Sequence, residues 1–471
     1  MVMEQRKKEG HSYRQFMFAL LANMTTLSYG LESGWVSPIT KLLQSDSSPT
    51  GKALSDNELT WIASAMSFAA VFGVLIFSYI TERYGCKRSV ILLSLPQALS
   101  WILRIVNSST ASIIAARILS GISAGGIFNV VPMYVKEISQ DETRGVLSSL
   151  IVLSQNIGMF SMYLMGAYLE YYTVMQLSVG LPIFAAVLMI KAPESPVFLV
   201  KQGKMEEAAQ TIASLRGMDQ HQKVVQNEID YMRNEDALFK SLPAVSMISI
   251  LKEKSWRRGV IIMFVMFTFY SLNGTFTILT YASAILASTE EYDISPELQT
   301  LSLPIVMIVA SILLTVIIDR FRRKVLAIGA FCVIAVSMAT LGGGMLVQHL
   351  GGSIPGWLPV VAMISAVTAF AGALSPIPYL ITTEMFHFQI LNKVMGAVVT
   401  YAWLSTCIAI AIFSPISNAY GQYTVYFVYA ACNLIGAVFV AVFIPETKGK
   451  NSEEIRLVLS GRAKGDCQNS T

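Results

Sequence analysis

The sequence predicts an all-α integral membrane protein, with twelve transmembrane helices arranged as two six-helix bundles. Three observations carry that expectation. Hydrophobic residues make up 54% of the 471 positions and charged residues only 14%, whereas soluble domains carry roughly 25% charge. With a mean hydropathy of +0.56, the chain has too few charges to coat water-facing globules. Twelve runs are apolar over about the 20 residues that a bilayer-crossing helix needs. The basic residues, finally, alternate from one side of those runs to the other.

Taken in order, the first run is 15–35. It follows a charged tail, 1–14, and continues into Trp35 and Pro38 without a cleavage-like end, so it reads as a span and not as a removed leader. Runs 59–81, 88–106, 111–134, 147–169 and 174–191 complete an N-terminal bundle, 15–191. Segment 192–257 separates the halves. Within it, 205–216 and 222–240 mix apolar and charged residues at helical spacing and read as short amphipathic helices beneath the bundle. Runs 258–282, 299–319, 325–348, 356–386, 393–417 and 422–444 form the C-terminal bundle, 258–444, ahead of a tail, 445–471. Lipid offers the backbone no hydrogen-bond partner, so each run should be helical. With both termini cytoplasmic, 30 of the 34 Lys and Arg fall inside. Only Lys41 and Lys52 lie outside, and Arg104 and Arg117 lie within spans. One span more or fewer would spoil this asymmetry.

Several function classes drop out. A net charge of +4, sorted by topology, gives no patch for nucleic acid. Cys86, Cys332, Cys407, Cys432 and Cys467 form no CxxC pair, which removes zinc and redox-couple readings. No HExxH, P-loop or GxSxG context is present, so no enzyme, cofactor or metal is expected. Gly342-Gly343-Gly344 lies at a span end, where it favours close helix approach. Asn107-Ser108-Ser109 is a sequon in a loop short enough to hold it near the bilayer.

The halves echo each other. Glu82-Arg83-Tyr84-Gly85-Cys86-Lys87 after span 2 answers Asp319-Arg320-Phe321-Arg322-Arg323-Lys324 after span 8. Glu137 ends span 4 and Glu384 ends span 10. Pro193-Glu194-Ser195 follows span 6, and Pro445-Glu446-Thr447 follows span 12. Three signals in the same order imply two related bundles, a design in which halves rock about a midplane site.

On these residues the chain resembles the sugar porters of the major facilitator superfamily over nearly its full length. Pro193-Glu194-Ser195-Pro196-Val197-Phe198-Leu199 matches the family's PESPxxL segment, and Pro445-Glu446-Thr447-Lys448-Gly449 its PETKG signature. Val131-Pro132-Met133-Tyr134 with Glu137, Arg144 and Gly145 matches the span 4 pattern. Pro376-Ile377-Pro378-Tyr379 with Glu384 matches that of span 10. Tyr29-Gly30, Gly34-Trp35 and Ser37-Pro38 are closest to the insect facilitated trehalose-transporter-like branch. The resemblance implies the major facilitator fold in the plasma membrane. It also implies facilitative uptake of trehalose or a hexose by a monomeric carrier with lipid around it. A non-transporting sugar receptor, or a porter redirected to another small polar solute, is the alternative.

The resemblance assigns a cytoplasmic gate to Arg83, Glu137, Arg144, Glu194, Arg323, Lys324, Glu384 and Glu446. Exposed pairs are weak, which suits a switch between states of similar energy. Three positions depart from the family: Cys86 and Arg322 in the basic loops, and Leu391, near Lys393, after span 10. One latch in the C-terminal half is therefore expected to be weak or rebuilt. Intramembrane charge is costly. Glu32 is expected to face the cavity mouth, paired with Arg117, while Arg104 is expected to snorkel to the outer interface. Proton-coupled members carry an aspartate in the span 1 motif where this chain has Gly30, which favours facilitated diffusion.

The cavity is where the resemblance weakens. Amides that the family supplies are replaced by Val152 in span 5, Phe267 and Thr268 in span 7 and Met307 in span 8. Asn273, Tyr379 and Trp403 remain as candidate contacts. Gln155, Asn156, Tyr270, Ser271, Thr275 and Thr406 are nearby polar substitutes. Fewer amides imply weak hexose binding. They favour a solute needing fewer polar contacts than glucose, or a larger one that recruits Gln155 and Asn156.

Overall fold

The computed structural model describes residues 13–241, 246–287, 296–317, 320–448 and 454–455. Residues 1–12 of the N-terminal tail, Asp319, Gly449, Cys467 and most of the C-terminal tail lie outside the described residues.

Helices dominate, and no strand occurs among the described residues. Span 1 is Tyr13–Gly34, and after Trp35 the chain re-forms a helix over Val36–Leu43. Spans 2 to 6 are Asp56–Tyr84, Cys86–Val106, Thr110–Ile138, Asp141–Tyr168 and Tyr171–Ile190. Span 2 starts where Ser55 and Glu58 build a capping box. The Glu58 carboxylate accepts from the Ser55 N–H at 3.0 Å, and the Ser55 hydroxyl accepts from the Glu58 N–H at 3.4 Å, which satisfies backbone donors that a helix start leaves open. Four short helices link the halves: Pro196–Lys201, Met205–Arg216, Lys223–Ser241 and Met247–Lys252. The first three share a small core that includes Leu199, Ala208, Ile212, Val225 and Ile229. Arg14 at the start of span 1 donates to the Ser214 carbonyl at 2.9 Å and so ties this layer to the bundle.

In the C-terminal half, span 7 is split into Lys254–Ser271 and Thr275–Ala287. Span 8 is Ser302–Ile317 and span 9 is Arg323–His349. Span 10 is interrupted as well. Trp357–Ala369 passes through a π-helical stretch, Phe370–Leu374, into Ile377–Met385. Span 11 runs Phe388–Ala411 with a continuation Phe413–Tyr420, and span 12 is Gln422–Phe443. Among the described residues, ten helical stretches are long and apolar enough to cross a bilayer. Spans 1 and 8 complete the twelve by their place in the two bundles, the first being more polar and the other shorter.

Packing repeats between the halves. Spans 1 and 5, 2 and 4, 3 and 4, and 3 and 6 pair in the first bundle. Spans 7 and 11, 8 and 10, 9 and 10, and 9 and 12 pair in the second. The halves meet where span 2 packs on span 11, span 5 on span 8, and Val36–Leu43 on Thr275–Ala287. Leu95, Leu99 and Ile102 of span 3 and Leu434, Val438 and Val442 of span 12 are exposed on the outside. A belt of that kind would be a liability in water; in a multi-pass membrane protein it faces acyl chains.

Candidate transport site and gates

At mid-height between the halves, two groups of rings meet. Trp403 of span 11 packs against the N-terminal core, with Tyr29 and Phe128 at centroid distances of 6.5 and 6.3 Å. In the C-terminal half, Tyr379 lies 5.0 Å from Phe267 and 6.1 Å from Tyr270. Tyr29 is within electrostatic range of Tyr379 and Tyr270, so the two groups lie close to each other across the halves. Phe128, Gln155, Tyr379 and Trp403 are half-buried there. Gln155 lies on the helix face opposite Ile157 and Leu164, which are exposed to lipid. In the sequence Tyr29 stands out only as part of the span 1 motif and Phe128 not at all, because lone aromatic residues in apolar spans give no periodic signal.

The other candidate amides are already engaged. The Asn156 amide donates to the Ser311 hydroxyl at 3.0 Å and to the Met307 carbonyl at 3.4 Å, joining span 5 to span 8. Asn273 is fully buried in the break of span 7. Its amide donates to the Tyr270 carbonyl, and its oxygen accepts the Thr275 N–H, both at 2.6 Å. Gly274, with φ of +87°, makes the turn that an L side chain would resist. Asn273 thus ends one helix and starts the next, with Thr275 buried beside it. Ser271 and Thr406 bond to each other at 3.2 Å across spans 7 and 11.

The motif side shows the repeat in atomic detail. The Glu194 carboxylate accepts the Lys87 N–H at 2.9 Å and the Ser195 N–H at 3.0 Å, at the start of span 3. Glu446 accepts the Arg323 and Lys448 N–H groups, each at 3.2 Å, at the start of span 9. Both carboxylates thus meet a helix N-terminus, where backbone donors are free and the dipole favours negative charge. Burial pushes the Glu194 carboxyl above its ordinary range, against the opposing pull of those two N–H donors. Glu384 pairs with Arg323 at 3.4 Å and accepts from Thr447. Its counterpart Glu137 accepts instead from the Cys86 thiol, 3.1 Å away. Cys86 and Arg323 are each the first residue of their helix, so the pair in which a thiol stands in for a guanidinium lies in the N-terminal half. The expectation that placed a rebuilt latch in the C-terminal half is corrected: Arg322 precedes span 9 as an exposed residue, and Arg323 supplies the guanidinium. Arg83 bonds the Tyr79 hydroxyl at 2.7 Å on the exposed face of its own helix. Arg144 is half-buried in the first turn of span 5, and Lys324 is half-buried beside Arg323.

On the far side the bonds cross between the halves. Ser37 and Ser283 hydroxyls lie 3.2 Å apart. Tyr163 donates to the Leu279 carbonyl at 2.7 Å, and Asn418 to Asp56 at 3.3 Å. Thr40, Gln44, Thr60 and Tyr281 line a shallow cleft above this seam.

Below the seam is a buried ionic cluster. Glu32 pairs with Arg104 at 2.6 Å and approaches Arg117 at 3.8 Å. Arg117 also donates to the Glu32 carbonyl at 2.7 Å and to the Ile62 carbonyl at 3.1 Å. Ser100 donates to the Glu32 carboxylate at 2.8 Å. The Arg104 guanidinium lies 4.3 Å from the ring centre of Trp35 and 4.4 Å from that of Trp101. Arg104 has no exposed surface, so the snorkelling expected of it is corrected. A carboxylate one helix away and two indole faces compensate its charge inside the bundle. Glu32 contacts Arg117 as expected, but its shorter bond is to Arg104.

Compared with known proteins, residues 18–459 match the family model described as sugar (and other) transporter. A relative from Culex quinquefasciatus named facilitated trehalose transporter Tret1 is 26% identical over 460 residues, covering 96% of this chain and 87% of that one. Its namesake from Aedes aegypti is 27% identical over 459 residues, and there the chain spans only 56% of the relative's length. Among solved structures, the inward-open conformation of the xylose transporter XylE from E. coli superposes with a TM-score of 0.78. It is 20% identical and covers 94% of this chain and 99% of that one, a likeness of fold. With a family match running almost from end to end over the two bundles described above, this chain belongs to the sugar (and other) transporter family.

Proposed function

We propose that the protein is a facilitative carbohydrate carrier of the plasma membrane that works by alternating access, with both termini cytoplasmic. The observation that carries this reading is the asymmetry of its polar bonds. On the far side, Ser37–Ser283, Tyr163–Leu279 and Asp56–Asn418 join one half to the other. On the motif side, among the described residues, Glu137 bonds Cys86, Glu194 bonds Lys87, and Glu384 and Glu446 bond Arg323, each within its own half. Two rigid halves held together at one end about a midplane site are the parts that rocking needs. The insect relatives' name, facilitated trehalose transporter, supports carbohydrate as the cargo.

Two features of span 1 support downhill transport. Gly30 stands where proton-coupled sugar porters carry an aspartate. It packs on span 5 so closely that a Cβ would lie 2.1 Å from the Gln155 carbonyl oxygen, so no acidic side chain fits there. Glu32 is held by Arg104, Ser100 and Arg117, out of the central space.

The test is uptake by vesicles containing the purified protein, using labelled glucose, fructose, trehalose and substituted glucosides. Saturable flux that ends at equal concentrations, and that an inward proton gradient does not accelerate, is expected. Correctly folded protein giving no saturable flux of any of these would sink the carrier reading and favour a receptor.

A further inference from the structure

We propose that the cargo is a glycoside whose sugar carries an aryl or alkyl substituent, and not a free hexose or trehalose; this rests on the reading of the chain as a carbohydrate carrier. The inference comes from what the midplane space offers. A fully hydroxylated sugar leaving water needs a partner for each hydroxyl. Here the Asn156 donors are spent on Ser311 and Met307, and Asn273 is spent at both ends on the span 7 backbone. The Gln155 amide is engaged by no hydrogen bond among the described residues. What remains is the Gln155 amide, the unpartnered Asn156 side-chain oxygen and the Trp403 indole N–H, since the Tyr270 and Tyr379 hydroxyls bond to each other.

Apolar capacity is correspondingly large. The exposed part of it belongs to Phe128, Tyr379 and Trp403, each half-buried, while Phe267, with no exposed surface, stands edge-on behind Tyr379. Met307 occupies the span 8 position at 4% exposure. Trp403, Phe128 and Tyr29 supply faces from both halves. Stacked sugar faces use part of this surface; an aryl or alkyl group uses the rest. A substituent at the anomeric oxygen also removes a hydroxyl donor that this site is poorly equipped to satisfy. Pockets that are mostly apolar, with a few placed polar groups, select ligands of matching composition.

The test compares binding of phenyl β-glucoside, glucose and trehalose to the full-length protein in detergent, by thermal shift and tryptophan quenching, and then counterflow in vesicles. Phenyl β-glucoside should bind at least tenfold more tightly than either free sugar. Phe267→Gln, which restores an amide, should narrow that ratio by raising glucose affinity. Glucose or trehalose binding as tightly as the aryl glucoside in the unmodified protein overturns the proposal, and so does the absence of binding by the aryl glucoside. Selective binding without flux sinks the carrier reading and leaves the glycoside as the ligand of this site and not its cargo. Should Phe267→Gln fail to fold, the comparison in the unmodified protein still decides.

Discussion

Arg104 shows how far a single side chain departs from what its hydropathy implies. The sequence places it near a span end, where snorkelling is the default. What it lacks is any statement that Glu32, Trp35 and Trp101 converge there, because that convergence depends on how spans 1 and 3 pack. The spacing of three between Trp101 and Arg104, and between Glu32 and Trp35, is the one local trace. Removing one partner of a buried pair strands the other, at about 3–5 kcal/mol. Here the partners are unequal, since one carboxylate serves two guanidiniums. Glu32→Ala should therefore lower the melting temperature more than Arg104→Met, which leaves Glu32 with Arg117. The reverse order in a thermal melt would reject the cluster's charge balance. Glu194 gives a pH-linked case. Its carboxyl is raised above the ordinary value by burial. The stability it contributes is then fully present below the unfolded carboxylate range and is lost as pH rises through the raised value. Melts between pH 4 and 7 should show this decline in the unmodified protein and a flatter profile in Glu194→Gln.

At the scale of elements, the sequence was most legible where chemistry is local. The motif glutamates meet backbone N–H groups at the starts of spans 3 and 9, and the order of the repeat foretold that symmetry. The breaks in spans 7 and 10 leave no gap in the apolar runs, because hydropathy is blind to φ and to the register of backbone bonds. Span 10 loosens into a π-helical stretch at Phe370–Leu374, just ahead of Pro376; span 7 turns at Gly274, with Asn273 capping both sides. Asn273→Ala should cost about 1–3 kcal/mol by leaving buried backbone groups unpaired. It should alter the melting temperature more than the half-saturation of a transported glycoside. A large affinity change at unchanged stability would return Asn273 to the binding site. The crossing of spans 1 and 5 makes a sharper demand. A Cβ on Gly30 would lie 2.9 Å from the Gly158 Cα as well as 2.1 Å from the Gln155 oxygen, and both obstacles are backbone. Gly30→Ala should fall at or beyond the upper end of the 1–3 kcal/mol typical of overpacking, read as lost folded yield on size-exclusion. Normal yield and melting would mean that spans 1 and 5 do not cross this closely.

For the whole molecule, the question is whether the far-side seam must open. The repeat pairs spans 2 with 11 and 5 with 8, so the halves can tilt about these contacts without losing either bundle's core. Tilting must then separate Val36–Leu43 from Thr275–Ala287. The Ser37 and Ser283 oxygens, 3.2 Å apart, lie on that seam, away from the rings at mid-height, so joining them tests motion without touching the binding site. A Ser37→Cys and Ser283→Cys double variant should form a disulfide on oxidation and hold the far side shut. Exchange across the membrane should then fall at least tenfold and recover on reduction, while each single variant transports normally under both conditions. The closed form should still bind solute reached from the motif side, because nothing there has been joined. Full flux through a cross-link confirmed by mass spectrometry would show that solute crosses without opening this seam, and alternating access by rocking would have to be abandoned.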